Sequence, residues 1–151
     1  MSSKSPPPTI LYKILTVSEH EELQLKNLAF EPYWRGTSLD HTDGFIHLSN
    51  AKQAPIVADR FYQDQAEIVL LKIPYTLLQE SVKFELPCPP GASPEERLKL
   101  KEAESKEVEN GESELFPHFY GELDLSAESL EWEIVNRTEN GFKESMSRLK
   151  W

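Results

Sequence analysis

The stretch EIVLLKI at residues 67–73 decides the fold of this 151-residue chain. It is apolar over most of its length and does not alternate between apolar and polar residues. A run of this kind is typical of a central strand, because a strand with one solvated face alternates. We therefore expect other elements of the chain to cover both faces of this strand.

The sequence on either side of this strand predicts more strands and a first helix. Further strands are predicted at residues 10–17, 45–48, 82–86, 119–125 and 131–137. A helix is predicted from Ser18 to about Phe30, because Ser18 and Glu21 have the spacing of a capping box.

A second main helix is predicted over residues 50–62. Asn50 is a suitable capping residue for it, and a later start would place Pro55 in its first turn. Residues 31–43 are rich in turn-forming residues and are predicted to form a loop with aromatic anchors. Strands and helices are thus mixed along the chain, which predicts the α+β class.

The chain is predicted to hold a single domain at residues 10–137. A proline-rich disordered tail precedes it at residues 1–9, and residues 138–151 form a C-terminal tail that either docks on the domain or extends from it. Residues 87–114 look like an acidic insertion, because residues 95–114 hold eight acidic and four basic residues. Such charge runs are usually solvated surface, and an acidic arm for a basic partner is the alternative.

The overall composition restricts the function classes. With 16 Lys and Arg against 26 Asp and Glu, the net charge is -10, which disfavours extensive nucleic-acid binding.

Cys88 is the single cysteine, so no internal disulfide can form and a reducing compartment is expected. The longest aliphatic run covers residues 68–71, far too few for a membrane span, and residues 1–8 lack the apolar segment of a secretory signal. We expect a cytoplasmic or nuclear protein.

Two short motifs place a histidine near aromatic residues: DGFIHLS at residues 43–49 and FPHFYG at residues 116–121. Side chains alternate along a strand, so His47 and Ser49 are expected on one face, and His118 shares its face with a tyrosine two residues later. These groups could bind a polar ligand or act as acid and base near neutral pH. The structural alternative is a histidine bonded to the backbone and a serine that caps the following helix.

Several familiar site patterns do not occur in the sequence. It has no G-x-S-x-G elbow, no H-E-x-x-H or paired-cysteine spacing, and no glycine-rich phosphate loop. A triad hydrolase, a metal site and a Rossmann or P-loop enzyme are therefore disfavoured. Arg60 could clamp a phosphate or carboxylate, or pair with carboxylates on the surface. His20, in the first turn of its helix, is predicted to be exposed and inert.

A larger set of residues matches a known family in order along the chain. The set comprises Tyr12-Lys13-Ile14, Ser38-Leu39-Asp40, the DGFIHLS motif, Gln53, Arg60-Phe61, Val69-Leu70-Leu71, Glu85 and the FPHFYG motif. Over about residues 10–136 the chain resembles domain-of-unknown-function family 952. The two histidine motifs on either side of the apolar strand are the most specific part of the resemblance.

The resemblance implies an α+β domain similar to the ADP-ribosyltransferase fold, in which split, bent β-sheets with two main helices form a cleft for NAD. It implies a catalytic set of His47, His118 and Glu122. It implies a set that binds NAD or a related nucleotide, consisting of Ser38, Asp43, Ser49, Arg60 and Tyr120. Transfer would occur at the glycosidic carbon, where Glu122 would stabilise an oxocarbenium-like transition state, and a protein is one candidate acceptor.

The resemblance also has departures and alternatives. Enzymes of the wider fold usually place a histidine or arginine on the first strand, where this chain has Lys13. The segment His47-Leu48-Ser49 is similar to one in RNA 2'-phosphotransferases, although their phosphate-reading arginines are not recognisable here. The first alternative is a non-catalytic module that binds a small molecule in the same cleft. The second is an interaction domain in which the histidines are structural and the acidic insertion contacts a basic partner.

Overall fold

The structure is a computed structural model, and it describes residues 8–28, 33–78, 80–85, 94–95 and 115–151. In chain order the elements are β1 (Ile10–Leu15), α1 (Val17–Leu28), β2 (Tyr33–Trp34), α2 (Ser38–Asp43), β3 (Ile46–His47), α3 (Gln53–Phe61), β4 (Glu67–Pro74), a 3-10 turn (Tyr75–Leu77), β5 (Val82–Glu85), β6 (Phe116–Phe119), β7 (Leu123–Asp124) and β8 (Glu131–Asn136). Helices mixed with antiparallel sheets confirm the α+β class. The likeness to the ADP-ribosyltransferase fold stays a prediction, and the acidic insertion lies outside the described residues apart from Pro94 and Glu95.

β4 is the middle strand of an antiparallel sheet with the order β1-β4-β8. Val69, Leu71 and Ile73 belong to one buried cluster of apolar side chains. Ile68 and Leu70, which alternate with them, belong to another. Both faces of β4 are therefore covered, as its unbroken apolar sequence predicts. No helix in the described part of the chain is long and apolar enough to cross a membrane.

Two smaller antiparallel sheets complete the described fold: β3-β6-β5, and β2 paired with β7. The prediction of a strand at residues 119–125 is wrong, because β6 ends at Phe119 and β7 begins at Leu123. The chain turns between them at Gly121. A Cβ there would lie 2.8 Å from the Phe119 ring, so a larger residue would force that ring to move.

α1 begins one residue earlier than predicted, at Val17, and its capping pair lies two residues earlier than the predicted Ser18 and Glu21. Its capping pair is Thr16 and Glu19: the Glu19 N–H donates to the Thr16 hydroxyl at 3.1 Å, and the Thr16 N–H donates to the Glu19 carboxylate at 2.8 Å. Because the helix starts here, His20 faces the central sheet, and its ring centroid lies 4.3 Å from that of Trp132. The prediction that His20 is exposed is wrong, because only 5% of it remains accessible.

The loop predicted at residues 31–43 is partly wrong, since residues 33–34 form β2 and residues 38–43 form α2. Trp34 is buried, as expected of an anchor. α2 is capped at both ends by local hydrogen bonds. The Thr37 hydroxyl accepts from the Asp40 N–H while the Asp40 carboxylate accepts from the Thr37 N–H, and Gly44 ends the helix in the left-handed region with φ 84°. A helix of six residues is too short to show apolar periodicity.

Asn50 caps the start of α3. Its side-chain oxygen accepts from the N–H groups of Lys52 at 3.0 Å and Gln53 at 2.8 Å, and the Gln53 side chain accepts from the Asn50 N–H in return. The Gln53 amide also donates to the Leu115 carbonyl at 2.6 Å. This bond ties the start of α3 to the residue that precedes β6.

Residues 142–151 pack against the same side of the central sheet as α3. Phe142 and Met146 are fully buried in the cluster that contains Ile68 and Leu70. The Phe142 N–H donates to the Asp59 carboxylate of α3 at 2.6 Å. Of the two possibilities left open by the sequence for this segment, the structure shows docking.

Replacing Phe142 with alanine removes a fully buried aromatic side chain, so we expect Phe142→Ala to lower the free energy of unfolding by about 3–5 kcal/mol. Phe61→Ala is the matched control, because Phe61 is 67% exposed and its loss is expected to change stability by less than about 1 kcal/mol. Urea denaturation measures both. Equal effects of the two substitutions would contradict the docking of the C-terminal segment.

Candidate active site

Two histidines face each other across the pairing of β3 with β6. His47 is opposite His118 in the register, and their ring centroids lie 5.8 Å apart. Phe45 covers both: its ring is stacked on His118 at 3.9 Å and tilted against His47 at 4.7 Å. The DGFIHLS and FPHFYG motifs therefore meet at one place, with an aromatic ring between the histidines and the adjoining cleft.

Asp40 is the buried centre of the first histidine cluster. Only 1% of Asp40 is exposed, and its carboxylate accepts from Lys13 Nζ on β1 at 3.0 Å. The same carboxylate accepts from the backbone N–H groups of Thr37 at 2.9 Å and His47 at 3.1 Å. One side chain thereby joins β1, the start of α2 and β3.

Burial alone would raise the pKa of Asp40. The hydrogen bond from His47 and the charge and hydrogen bond of Lys13, with the Thr37 N–H, outweigh burial and lower the pKa to about 2. Asp40 therefore stays ionised throughout the physiological range. The stability it contributes is present above its ordinary pKa of 3.8 and is lost as the pH falls toward about 2.

His47 is held by a carboxylate at each ring nitrogen. Nδ1 lies 2.5 Å from Asp40, and Nε2 lies 2.8 Å from Asp43, which ends α2. The left-handed Gly44 turns the chain so that Asp43 comes back to a histidine four residues later. Both ring nitrogens of His47 therefore lie within hydrogen-bond distance of a carboxylate, which fixes the orientation of the ring.

The second histidine cluster is built around Glu85 on β5. One oxygen of Glu85 lies 3.0 Å from His118 Nδ1 and accepts from the Tyr120 hydroxyl at 2.5 Å. His118 is buried, and burial lowers its pKa, an effect that the bond and charge of Glu85 partly oppose. A buried histidine with a lowered pKa is mostly neutral at pH 7, so His118 is expected to be largely uncharged there.

A cleft of about 440 Å³ adjoins these clusters. It is lined by Arg35, Asp40, His41, Gly44, Phe45, Ile46, Phe119, Tyr120, Gly121 and Glu122. Arg35 and Glu122 form an exposed ion pair, with the guanidinium 2.6 Å from the carboxylate. Phe45 and Tyr120 belong to both the cleft and the histidine clusters, so a ligand in the cleft would contact the rings that cover the histidines.

The structure brings together most of the residues that the sequence selects. His47, Asp43, His118 and Tyr120 form the two clusters described above, and Glu122 lines the adjoining cleft. They come from α2, β3, β6 and the turn that follows β6, so the two histidine motifs meet in the folded protein.

The other selected residues lie elsewhere. Ser49 is buried, and its backbone exchanges two hydrogen bonds of 2.8 Å with Tyr12 on β1. Ser38 is the exposed first residue of α2. Arg60 is exposed on α3, which packs on the sheet face opposite to the one that carries Lys13. The structure therefore does not bring Arg60 to the histidine clusters.

Sequence reasoning missed the groups that hold the histidines. Asp40 and Glu85 belong to the resemblance without a predicted role in the site, and no sequence pattern assigns Arg35, His41 or Phe45 to the cleft. One signal was available for Asp40, because Thr37 and Asp40 have capping-box spacing. Nothing local in the sequence marks Arg35 or Glu85, since their partners lie far along the chain.

The geometry defines a class of protein: an α+β domain with two acid–histidine clusters beside an open cleft. Residues 14–129 match the family described as Protein of unknown function (DUF952), and the chain belongs to this family. None of the curated proteins matches the chain.

Solved structures of protein CC0527 from Caulobacter crescentus are similar. Its X-ray structure is 24% identical in sequence with a TM-score of 0.61, and the alignment covers 92% of this chain and 99% of that one. Its solution NMR structure is 26% identical with a TM-score of 0.60, covering 93% of this chain and 97% of that one. The similarity shows the fold and extends over nearly the whole of both chains.

Removing the cation beside Asp40 leaves a buried carboxylate without its charge partner. We expect Lys13→Met to lower the free energy of unfolding by about 3–5 kcal/mol. The matched control is Lys72→Met on β4. Lys72 pairs with the half-exposed Glu133 at 3.3 Å, and such a pair is expected to contribute less than about 1 kcal/mol to the free energy of unfolding. Guanidinium denaturation measures both variants, and a Lys13→Met protein as stable as Lys72→Met would contradict a central role for this pair.

His118 is expected to titrate below the usual pKa of a histidine, because burial disfavours its charged form. Glu85→Gln removes the carboxylate that raises its pKa, so the variant is expected to titrate at still lower pH. Histidine C–H chemical shifts followed by NMR across the acid range measure this. The exposed His41 serves as the internal control, and an upward shift of His118 in the variant would show that Glu85 is not its partner.

Proposed function

We propose that the cleft binds NAD or a related nucleotide. The observation that carries the proposal is the combination of groups on its walls: aromatic rings from Phe45 and Tyr120, the Arg35 guanidinium, the His41 imidazole and the Glu122 carboxylate. A nucleotide presents a planar base, an anionic phosphate and sugar hydroxyls. Each of these has a matching group in the cleft.

The size of the cleft agrees with this ligand class, since small-molecule sites commonly span about 300–1,000 Å³. Arg35 is the group best suited to a phosphate, because a guanidinium can donate two parallel hydrogen bonds to it. In the free protein Arg35 pairs with Glu122 at the surface. Phosphate binding would exchange this weak exposed pair for a stronger one and release Glu122 to accept from a ribose hydroxyl.

The same arrangement supports transfer of ADP-ribose. In that reaction the bond between the anomeric carbon and the nicotinamide nitrogen breaks, nicotinamide leaves with the bonding electrons, and an acceptor nucleophile, for which a protein is one candidate, forms the new bond and gives up its proton. Glu122 would stabilise the positive charge that develops on the sugar. His47 and His118 lie behind Phe45 and would act by fixing the ring against which the ligand packs.

A non-catalytic binding module is the second candidate, and the state of the ionisable groups favours it. Both ring nitrogens of His47 are engaged by carboxylates, and Glu122 is paired with Arg35. A histidine whose two ring nitrogens both face carboxylates has no ring nitrogen left to contact a substrate. The reducing cytoplasm or nucleus expected from the lone Cys88 would supply either kind of protein with nucleotides.

The test is a calorimetric titration of NAD and ADP-ribose into the wild-type protein, Arg35→Ala and Arg60→Ala. Loss of a charge-assisted phosphate contact is expected to weaken binding by Arg35→Ala about tenfold or more. Arg60→Ala is the matched control, since Arg60 is also exposed but does not line the cleft, and it is expected to bind like wild type.

The outcomes separate the candidates. Binding that weakens in Arg35→Ala alone places the nucleotide in the cleft, whereas equal weakening in both variants would indicate non-specific attraction. Absence of binding to wild type at millimolar nucleotide would overturn the proposal. If binding is found, release of nicotinamide that is lost in Glu122→Gln supports transfer, and no release on prolonged incubation supports the binding module.

A further inference from the structure

β8 has an open edge. It pairs with β4 on one side, and no other strand in the described ranges pairs with its second side. The Arg137 N–H donates to the Ala66 carbonyl in the extension of this pairing. Backbone groups of an antiparallel strand point alternately to its two neighbours, so Trp132, Ile134 and Asn136 direct theirs away from β4.

The same alternate residues carry an exposed apolar surface. Trp132 is 48% exposed and Ile134 is 51% exposed, and both lie on one face of β8. Trp132 is fixed by its contact with the buried His20 of α1. An edge strand with apolar side chains and outward-directed backbone groups is a template for pairing with another strand.

We propose that β8 pairs antiparallel with β8 of a second copy of this chain, across a two-fold axis at Ile134. The two central sheets would then form one continuous sheet of six strands. In this arrangement the backbone groups of Ile134 bond to Ile134 of the partner subunit, and those of Trp132 bond to Asn136 of the partner subunit. Isologous pairing of this kind is a common route to closed dimers.

The charges along β8 favour this register over shifts of the axis toward the start of the strand. With the axis at Ile134, Glu131 lies opposite Arg137 of the partner subunit, and the symmetry makes this attractive pair twice. A shift of the axis to Glu133 would set Glu133 opposite Glu133 of the partner subunit. A shift to Trp132 would set Glu131 opposite Glu133 of the partner subunit. Both shifts oppose like charges, which destabilises strand pairing.

The surroundings of the strand are compatible with this pairing. Glu131 and Arg137 are both exposed and lie on the same face, because they are an even number of residues apart. The Asn136 carbonyl accepts from the Ser145 hydroxyl at 3.1 Å, and a carbonyl has a second lone pair for a strand partner. The proposed interface is separate from the cleft, so it does not depend on the proposed function.

Sedimentation velocity of the full chain, from low micromolar to submillimolar concentration, tests the proposal. We expect a dimer of twice the 17.4 kDa monomer mass. Glu131→Arg and Arg137→Glu each turn two attractive pairs into repulsive ones, so each is expected to weaken association about tenfold. The double variant restores both pairs with the charges exchanged and is expected to recover the dimer.

A second pair of variants controls for exposed apolar residues in general. Ile134→Lys is expected to abolish the dimer, whereas Ile56→Lys is expected to leave it unchanged, because Ile56 is equally apolar and 62% exposed but lies on α3. In hydrogen exchange, the N–H groups of Trp132 and Ile134 should become protected as the concentration rises. A wild-type chain that stays monomeric throughout, or a dimer insensitive to the charge reversals and to Ile134→Lys, would overturn the proposal.

Discussion

The buried Asp40 carboxylate is the constraint on which the rest of the site depends. A carboxylate without solvent must be surrounded by donors, and these come from Lys13 on β1, Thr37 before α2 and His47 on β3. Meeting that requirement fixes a short helix, orders the turn after it and sets the angle of the His47 ring. The buried pair of Lys13 with Asp40 therefore serves mainly to position three elements relative to one another. It adds little net stability, because desolvation offsets much of the attraction in a buried ion pair.

The two acid–histidine clusters differ in a way that follows from their surroundings. His47 has two carboxylates and remains partly exposed, whereas His118 is buried against Phe45 with one carboxylate, and burial favours a neutral His118 ring. Two histidines in direct cross-strand register would repel each other if both were charged. Because burial keeps His118 largely neutral near pH 7, the two rings can lie close together beside the cleft without that repulsion.

The sequence predicts well whatever depends on neighbours along the chain. The central position of β4 follows from its unbroken apolar run, and the two histidine motifs locate the site because each is a local pattern. The prediction fails in two places. The six residues of α2 are too few to show a helical pattern of apolar residues, and a turn at Gly121 interrupts the strand predicted beyond Phe119. The partners of the site residues are not local either, since Lys13 reaches Asp40 across 27 residues and Arg35 reaches Glu122 across 87. Pairings of this kind are set by the tertiary fold.

The hydrogen bonds between Thr9 and Trp151 have a topological consequence. The Trp151 carbonyl accepts from the Thr9 N–H at 2.6 Å and from the Thr9 hydroxyl at 2.9 Å, while the Lys150 carbonyl accepts from the Tyr12 hydroxyl. Thr9 and Trp151, which stand near the two ends of the described fold, thus lie side by side. Domains with adjacent ends tolerate circular permutation. A short peptide could therefore join Trp151 to Thr9, and new ends could be placed elsewhere without disrupting the central sheet.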